Sequence, residues 1–169
     1  ETAVVRVLDP RRFQRTIQEL GFSEQELSLV THLLSLPSGL ILVVGPEDSG
    51  TTTTLCALFN HLRQESLSLV AIENPTETLF PGVVQLEVNE RLGISWPDAI
   101  RSALRLDPDV LMLSDLPDVE TARLAMQAAM SGQLVLSSVR AETAAAGIAL
   151  LLDMGLEPYL LASTLRAAL

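Results

Sequence analysis

Five short apolar runs divide the chain: "LILVV" at 40–44, "LSLVAIE" at 67–73, "VVQLEV" at 83–88, "VLMLS" at 110–114 and "LVLSS" at 134–138. They are rich in β-branched residues and nearly uninterrupted, the pattern of strands buried on both faces of a parallel sheet. Between and around them the apolar positions recur at helical spacing. That spacing predicts helices near 10–20, 23–36, 51–64, 96–106, 118–131, 141–154 and 158–168. Ser23 and Glu26 form a capping-box pattern at the start of the second, and Trp96–Pro97 reads as a helix start packed on the core. Strands alternating with helices imply an α/β domain around a central, mostly parallel sheet flanked by helices. The opening "TAVVRVLD" alternates like a strand. Residues 1–9 are therefore expected to be the tail of a preceding domain or a linker, and 10–169 the α/β domain. Glu1 is not an initiator Met, so the sequence reads as a piece of a longer protein.

Composition narrows the function. At 169 residues and 48% hydrophobic, the chain can bury a proper core. Net charge is −10, which disfavours nucleic acid or an anionic membrane as partner, since both attract basic surfaces. A single cysteine, Cys56, excludes an internal disulfide and a cysteine-cluster metal site, in keeping with a reducing, cytosolic setting. It lies one turn into a helix and reads as a small core residue. No apolar run reaches the ~20 residues of a membrane span, and no signal peptide is visible. No metal site is expected.

The chemistry concentrates after the first run. "GPEDSGTTTT" at 45–54 follows "LILVV" as a phosphate-binding loop would, and Gly45, Gly50 and Thr52 fit the spacing G-x-x-x-x-G-K-[ST]. The lysine position is Thr51. All eleven basic residues are arginine, so no other segment can supply a lysine. Such a loop holds anions through backbone N–H groups and a helix N-terminus, with lysine neutralising the terminal phosphates. Here Glu47 and Asp48 put two carboxylates beside Ser49 and Gly50. At ~5 Å and an effective dielectric of ~20, each repels a phosphate charge by about 3 kcal/mol before screening. Even heavily discounted, that weakens ATP binding by about two decades. A second reading is that Glu47 and Asp48, near a helix N-terminus, give the loop its own anion.

In parallel α/β sheets ligands sit beyond the carboxyl ends of the strands. Those ends carry the loop after Val44, Glu73 with Asn74 and Glu77, Asp115 with Asp118, and Ser137 through Arg140. The order of these segments resembles the secretion ATPases of type II secretion and type IV pilus assembly. Their phosphate loop reads like GPTGSGKTTTL, against "GPEDSGTTTTL" at 45–55. Their acidic box reads like IEDPVE, against "IENPTE" at 72–77. Their Walker B region reads like LRxDPDVIMVGEIRDxETA, against "LRLDPDVLMLSDLPDVETA" at 104–122. Their histidine box reads like TGHLVLSTLHTN, against "SGQLVLSSVRAE" at 131–142, and the tail "LLDMGLEPYLLASTL" is similar as well.

The resemblance implies a RecA-like P-loop domain, and its departures fall on chemistry. Thr51 replaces the loop lysine, and Asn74 the box aspartate. Asp115 stands for the Walker B glutamate, with Pro117 where an arginine follows. Gln133 and Arg140 stand for the two histidines. Asp115 is one methylene short, which would misplace a general base by about 1 Å, enough for ~10²-fold in rate. Glu73, Asn74, Asp115, Gln133 and Arg140 therefore read as vestigial catalytic positions. Gly45, Glu47, Asp48, Ser49, Gly50, Thr51 and Thr52 read as a vestigial nucleotide loop, in which Thr52 would have held Mg²⁺. The cysteine-rich metal module of the family is not found in this chain.

The favoured expectation is a catalytically dead domain without a bound cofactor, serving as a structural or regulatory subunit of a type II secretion or pilus-like assembly. Relatives form hexameric rings at the cytoplasmic face of the inner membrane, so the resemblance implies machinery proteins, including homologous ATPase subunits, as partners. The rival is a slow ATPase motor binding ATP and Mg²⁺ with Arg101, Arg105 or Arg140 on the phosphates, a role arginine suits. A third reading is a regulatory module with another ligand in the cleft. Arg101 and Arg105, four apart on one helix face, otherwise read as a solvated or salt-bridged pair, and His32 and His61 as surface or boundary residues.

Overall fold

All five apolar runs form strands in the computed structural model, which describes residues 15–169. They are β1 (Gly39–Gly45), β2 (Leu69–Glu73), β3 (Val84–Glu87), β4 (Val110–Leu113) and β5 (Leu134–Arg140). The helices are α1 (Glu24–Leu34), α2 (Thr51–Leu62), α3 (Trp96–Leu104), α4 (Val119–Ser131), α5 (Ala144–Asp153) and α6 (Pro158–Thr164). A 3-10 turn at Ile17–Leu20 precedes α1, where the sequence predicts a helix over 10–20. The strand expected at the start of the chain, and the boundary at residue 9, lie outside the described residues.

One element differs from expectation. The stretch 158–168 does not continue as helix; Leu165–Ala168 forms a sixth strand, β6, beside β1. Leu, Arg and Ala favour helix when nothing else decides. Here the exposed edge of β1 decides: Leu169 N–H donates to Leu42 O at 2.9 Å and Val44 N–H to Leu169 O at 2.8 Å. The sheet order is β3-β2-β4-β5-β1-β6, and every pairing is parallel.

Alternation along the strands sorts the core into two layers. Leu40, Leu42, Val70, Ile72, Leu111, Leu113 and Val135 face α3, α4 and α6. Ile41, Val43, Leu69, Ala71, Val110, Met112, Leu134 and Leu136 face α1 and α2. Period-2 geometry sends neighbours to opposite faces, and both faces of β1, β2 and β4 are covered, so Leu40–Val44, Leu69–Ile72 and Val110–Leu113 are apolar throughout. Phe59 of α2 meets Phe80 edge-on at 5.2 Å, closing the second layer. The start of α1 is set by the capping box that the sequence predicts. Glu26 N–H donates to Ser23 Oγ at 3.3 Å while Ser23 N–H donates to Glu26 Oε2 at 2.8 Å. Asp118 and Thr143 cap α4 and α5 more simply, accepting from the N–H of Thr121 and of Ala146. Because all strands run one way, the residues after β1, β2, β4 and β5 share one edge.

Candidate functional site

That edge is built outward from β1. Gly45, the last residue of β1, is buried, and a Cβ there would collide with the Ser49 hydroxyl and lie 2.9 Å from Thr51 Cγ2. The loop thus folds back over this position, and a side chain there would have to displace Ser49 and Thr51. Ser49 N–H donates to Pro46 O at 3.2 Å, and the chain enters α2 through Gly50 at φ 98°. Asp48 is also left-handed, at φ 61°. The resembling loops carry glycine at that position, so the backbone course survives a residue that resists it.

The loop's acids make no bond to the loop that carries them. Glu47 and Asp48 are exposed, no side chain caps the N-terminus of α2, and neither carboxylate makes a hydrogen bond or ion pair among the described residues. Beside the loop is a cavity of ≈ 280 Å³, lined by Leu20, Phe22, Ser49, Thr54 and Leu169, and also by Glu142. Glu142 is a third carboxylate at this place. The sequence reading missed it because only the closing of β5 against β1 brings residues 140–142 back to the loop.

Arg140 ends β5 in register with Gly45, and Ala141 N–H donates to Gly45 O at 3.3 Å. It therefore stands between the loop and Asp115, which follows the neighbouring strand β4. Burial pushes the Asp115 carboxyl above its ordinary range, with the Leu116 N–H at 2.8 Å and the Arg140 charge pulling it back down. Arg101 is engaged elsewhere, 2.7 Å from Glu120 and 3.6 Å from Asp98 on an exposed face. Arg105 only ends α3.

Gln133 is not brought to this edge. It precedes β5, whose seven residues separate it from Arg140 by roughly 20 Å at the rise of a strand. The resemblance placed two histidine equivalents together in sequence, but a strand lies between them and sends them to opposite ends of the sheet. Gln133 Oε1 is buried there without a hydrogen bond.

The β2 side is knit together. Glu73 is 3% exposed, and its Oε1 accepts from Gln85 Nε2 at 2.9 Å. The same amide donates to Thr78 O at 2.8 Å, and its Oε1 accepts from Phe80 N–H at 2.7 Å. Gln85 thereby fastens the 74–80 segment, which opens with a cis Asn74–Pro75 bond, to β2 and β3. Burial holds the Glu73 carboxyl above its usual range, opposed by the bond from Gln85. Glu87 Oε2 accepts from Thr76 N–H at 3.1 Å, and Asn74 N–H donates to Ser114 Oγ at 3.3 Å. Ser137 and Ser138 donate to the carbonyls of Leu113 and Ser114 at 3.0 and 2.7 Å. Gln85 escaped the sequence reading, although a neutral polar residue at the middle of "VVQLEV" was its visible signal. Cys56 is buried in α2, its thiol pushed up by burial and by Glu73 and Glu77. Among the described residues no cluster of His, Cys, Asp and Glu could hold a metal, and no helix is long and apolar enough to cross a membrane.

Comparison with known proteins gives the family and the fold. The family described as "Type II/IV secretion system protein" matches residues 1–169. "Type II secretion system protein E" of Xanthomonas campestris pv. campestris is 40% identical over 169 residues, covering 100% of this chain and 30% of that protein. "Type IV pilus assembly ATPase PilB" of Myxococcus xanthus is 36% identical over 169 residues, again 100% of this chain and 30% of that one. The chain thus spans about a third of the length of such relatives. Among solved structures, the pilus retraction motor PilT with bound ADP superposes with TM-score 0.79 at 31% identity, over 91% of this chain and 47% of that one. The VirB11 ATPase of the Brucella suis type IV secretion system, in complex with sulphate, superposes with TM-score 0.65 at 22% identity, over 89% and 43%. The fold is that of these P-loop ATPases.

Proposed function

The chain belongs to the Type II/IV secretion system protein family, and we propose that within it this domain neither binds nor hydrolyses ATP and acts as a structural or regulatory part of a type II secretion or type IV pilus-like assembly. One observation carries the reading. Where phosphates would lie at the N-terminus of α2, the chain offers Glu47, Asp48 and Glu142 against the single guanidinium of Arg140, and no lysine. Backbone N–H groups alone cannot offset three carboxylates around a polyanion. The fold layers remain intact, so the domain still presents its outer surfaces to machinery proteins, including homologous ATPase subunits at the cytoplasmic face of the inner membrane.

Thermal melting with and without Mg-ATP tests this. A ligand at 100 times its Kd adds about 2.7 kcal/mol, or about 5–10 °C for a chain of this size. The expected shift is nil, and a shift of that size would refute the reading. Binding to secretion machinery should be equal with ATP, with ADP and with neither. Loss of capture on removing ATP would refute the scaffold role.

The second reading, a slow motor using ATP and Mg²⁺, is favoured by the register of Arg140 with Gly45. It predicts that Arg140→Gln abolishes any nucleotide-dependent shift.

A further inference from the structure

Away from the nucleotide edge, a cavity of ≈ 470 Å³ lies between the 3-10 turn, the C-terminal end of α2 and the segment 78–81. Its size is that of small-molecule sites. Arg15, His61 and Arg63 line it, with the amides of Gln18 and Gln64, and among the described residues no Asp or Glu does. In a chain of 21 acidic and 11 basic residues that selection of charge is unusual.

Arg63 is half-buried, and among the described residues its side chain has no hydrogen bond or ion pair. Glu19, the carboxylate that feels Arg15, is turned to Thr16, whose N–H and hydroxyl donate to Glu19 Oε2 at 2.7 and 3.1 Å. Charge at the end of α2 has an ordinary explanation, since His61 and Arg63 complement the helix dipole. That explanation does not reach Arg15, which comes from a different segment and faces the same space.

We propose that this cavity binds a small phosphorylated anion, gripped by the Arg15 and Arg63 guanidiniums and seated among neutral donors. Guanidinium forks match phosphate oxygens bidentately. Leu79 and Pro81 supply an apolar wall for the rest of such a ligand. The site lies at the opposite end of α2 from residues 45–50, so it stands independently of the inert nucleotide loop.

Isothermal titration of the 169-residue chain with pyrophosphate is the test, with succinate as the carboxylate control. The expected result is saturable pyrophosphate binding that weakens at least about 10-fold in Arg63→Gln and in Arg15→Gln. Arg63→Lys should fall between, because charge remains while the fork is lost. Gly45→Asp should leave the affinity unchanged. Circular dichroism establishes that each variant is folded. The proposal fails if no saturable heat appears up to about 10 mM, if Arg63→Gln binds as the parent does, or if succinate binds as tightly. It also fails if binding disappears in Gly45→Asp and survives in Arg63→Gln. That last outcome would instead restore the nucleotide loop and refute the proposed function.

Discussion

The two halves of the carboxyl edge are held in different ways. On the β2 side the buried Glu73 has Gln85, and the exposed Glu87 has the Thr76 N–H. On the β1 side Glu47 and Asp48 have none among the described residues, and α2 begins without a side-chain cap. In a working P-loop the second half is completed by phosphate and metal, whereas the first completes itself with protein. A domain that lost its ligand would keep the first for folding and let the second drift. The pattern of Gln85 against Thr51 has that form.

The largest break in the comparison should come from Gln85→Ala. It removes two donors and one acceptor at once, at about 1 kcal/mol each, and leaves the buried Glu73 carboxyl short of a partner. Urea unfolding should show a loss of about 3 kcal/mol. A loss under about 0.5 kcal/mol, the usual range of surface changes, would mean that the β2 side is no better knit than the loop.

Next in size, the triple change Thr51→Lys, Glu47→Thr, Asp48→Gly should raise Mg-ATP affinity about 100-fold, close to 2.7 kcal/mol, by replacing two repulsions with one attraction. Turnover should stay absent, because Asn74 and the shortened Asp115 are unchanged. Thr51→Lys alone should not hydrolyse ATP either. Phosphate release from the single variant would show that lysine was the only missing part.

A pH series separates the halves without touching the loop. The folded-state pKa of Glu73 is raised by burial. The native state therefore holds its proton to higher pH than the unfolded chain, and stability falls as pH rises through that interval. Glu73→Gln keeps an oxygen acceptor for Gln85 and abolishes the ionisation. It should match the parent near pH 4 and exceed it near neutrality. Asp115 is shifted the same way by burial, so a residual slope should remain in Glu73→Gln. A parent whose stability is flat from about pH 4 to 7, with Glu73→Gln following it at a constant offset, would remove Glu73 from the account.

The layers were legible because strands buried on both faces must be apolar throughout, as "LILVV" and "VLMLS" are. β6 was not, because "LRAA" carries helix-forming residues and becomes a strand only through β1. Within the site, the loop and Asp115 were legible as motifs. The place of Gln133 was not, since motif spacing ignores the length of β5. Glu142 and Gln85 matter through neighbours distant in sequence, and their own letters carry little signal. Arg140 lay between: one of three arginines weighed, it was singled out by its register with Gly45.

The smallest effect sharpens the comparison most. Asp48 sits at φ 61°, a conformation that costs most L-residues roughly 1–2 kcal/mol and Asp and Asn less. Asp48→Gly removes that strain, and against the extra entropy of an unfolded glycine it should stabilise by up to about 1 kcal/mol. It also removes a charge near α2, so Asp48→Asn is needed beside it. Asn tolerates the left-handed conformation and keeps the shape, changing only the charge. If the carboxylate is as unengaged as its missing partners indicate, Asp48→Asn should lie within about 0.3 kcal/mol of the parent in urea unfolding. A cost near 1 kcal/mol would mean that the helix dipole does hold Asp48, and that the loop has found its own anion after all.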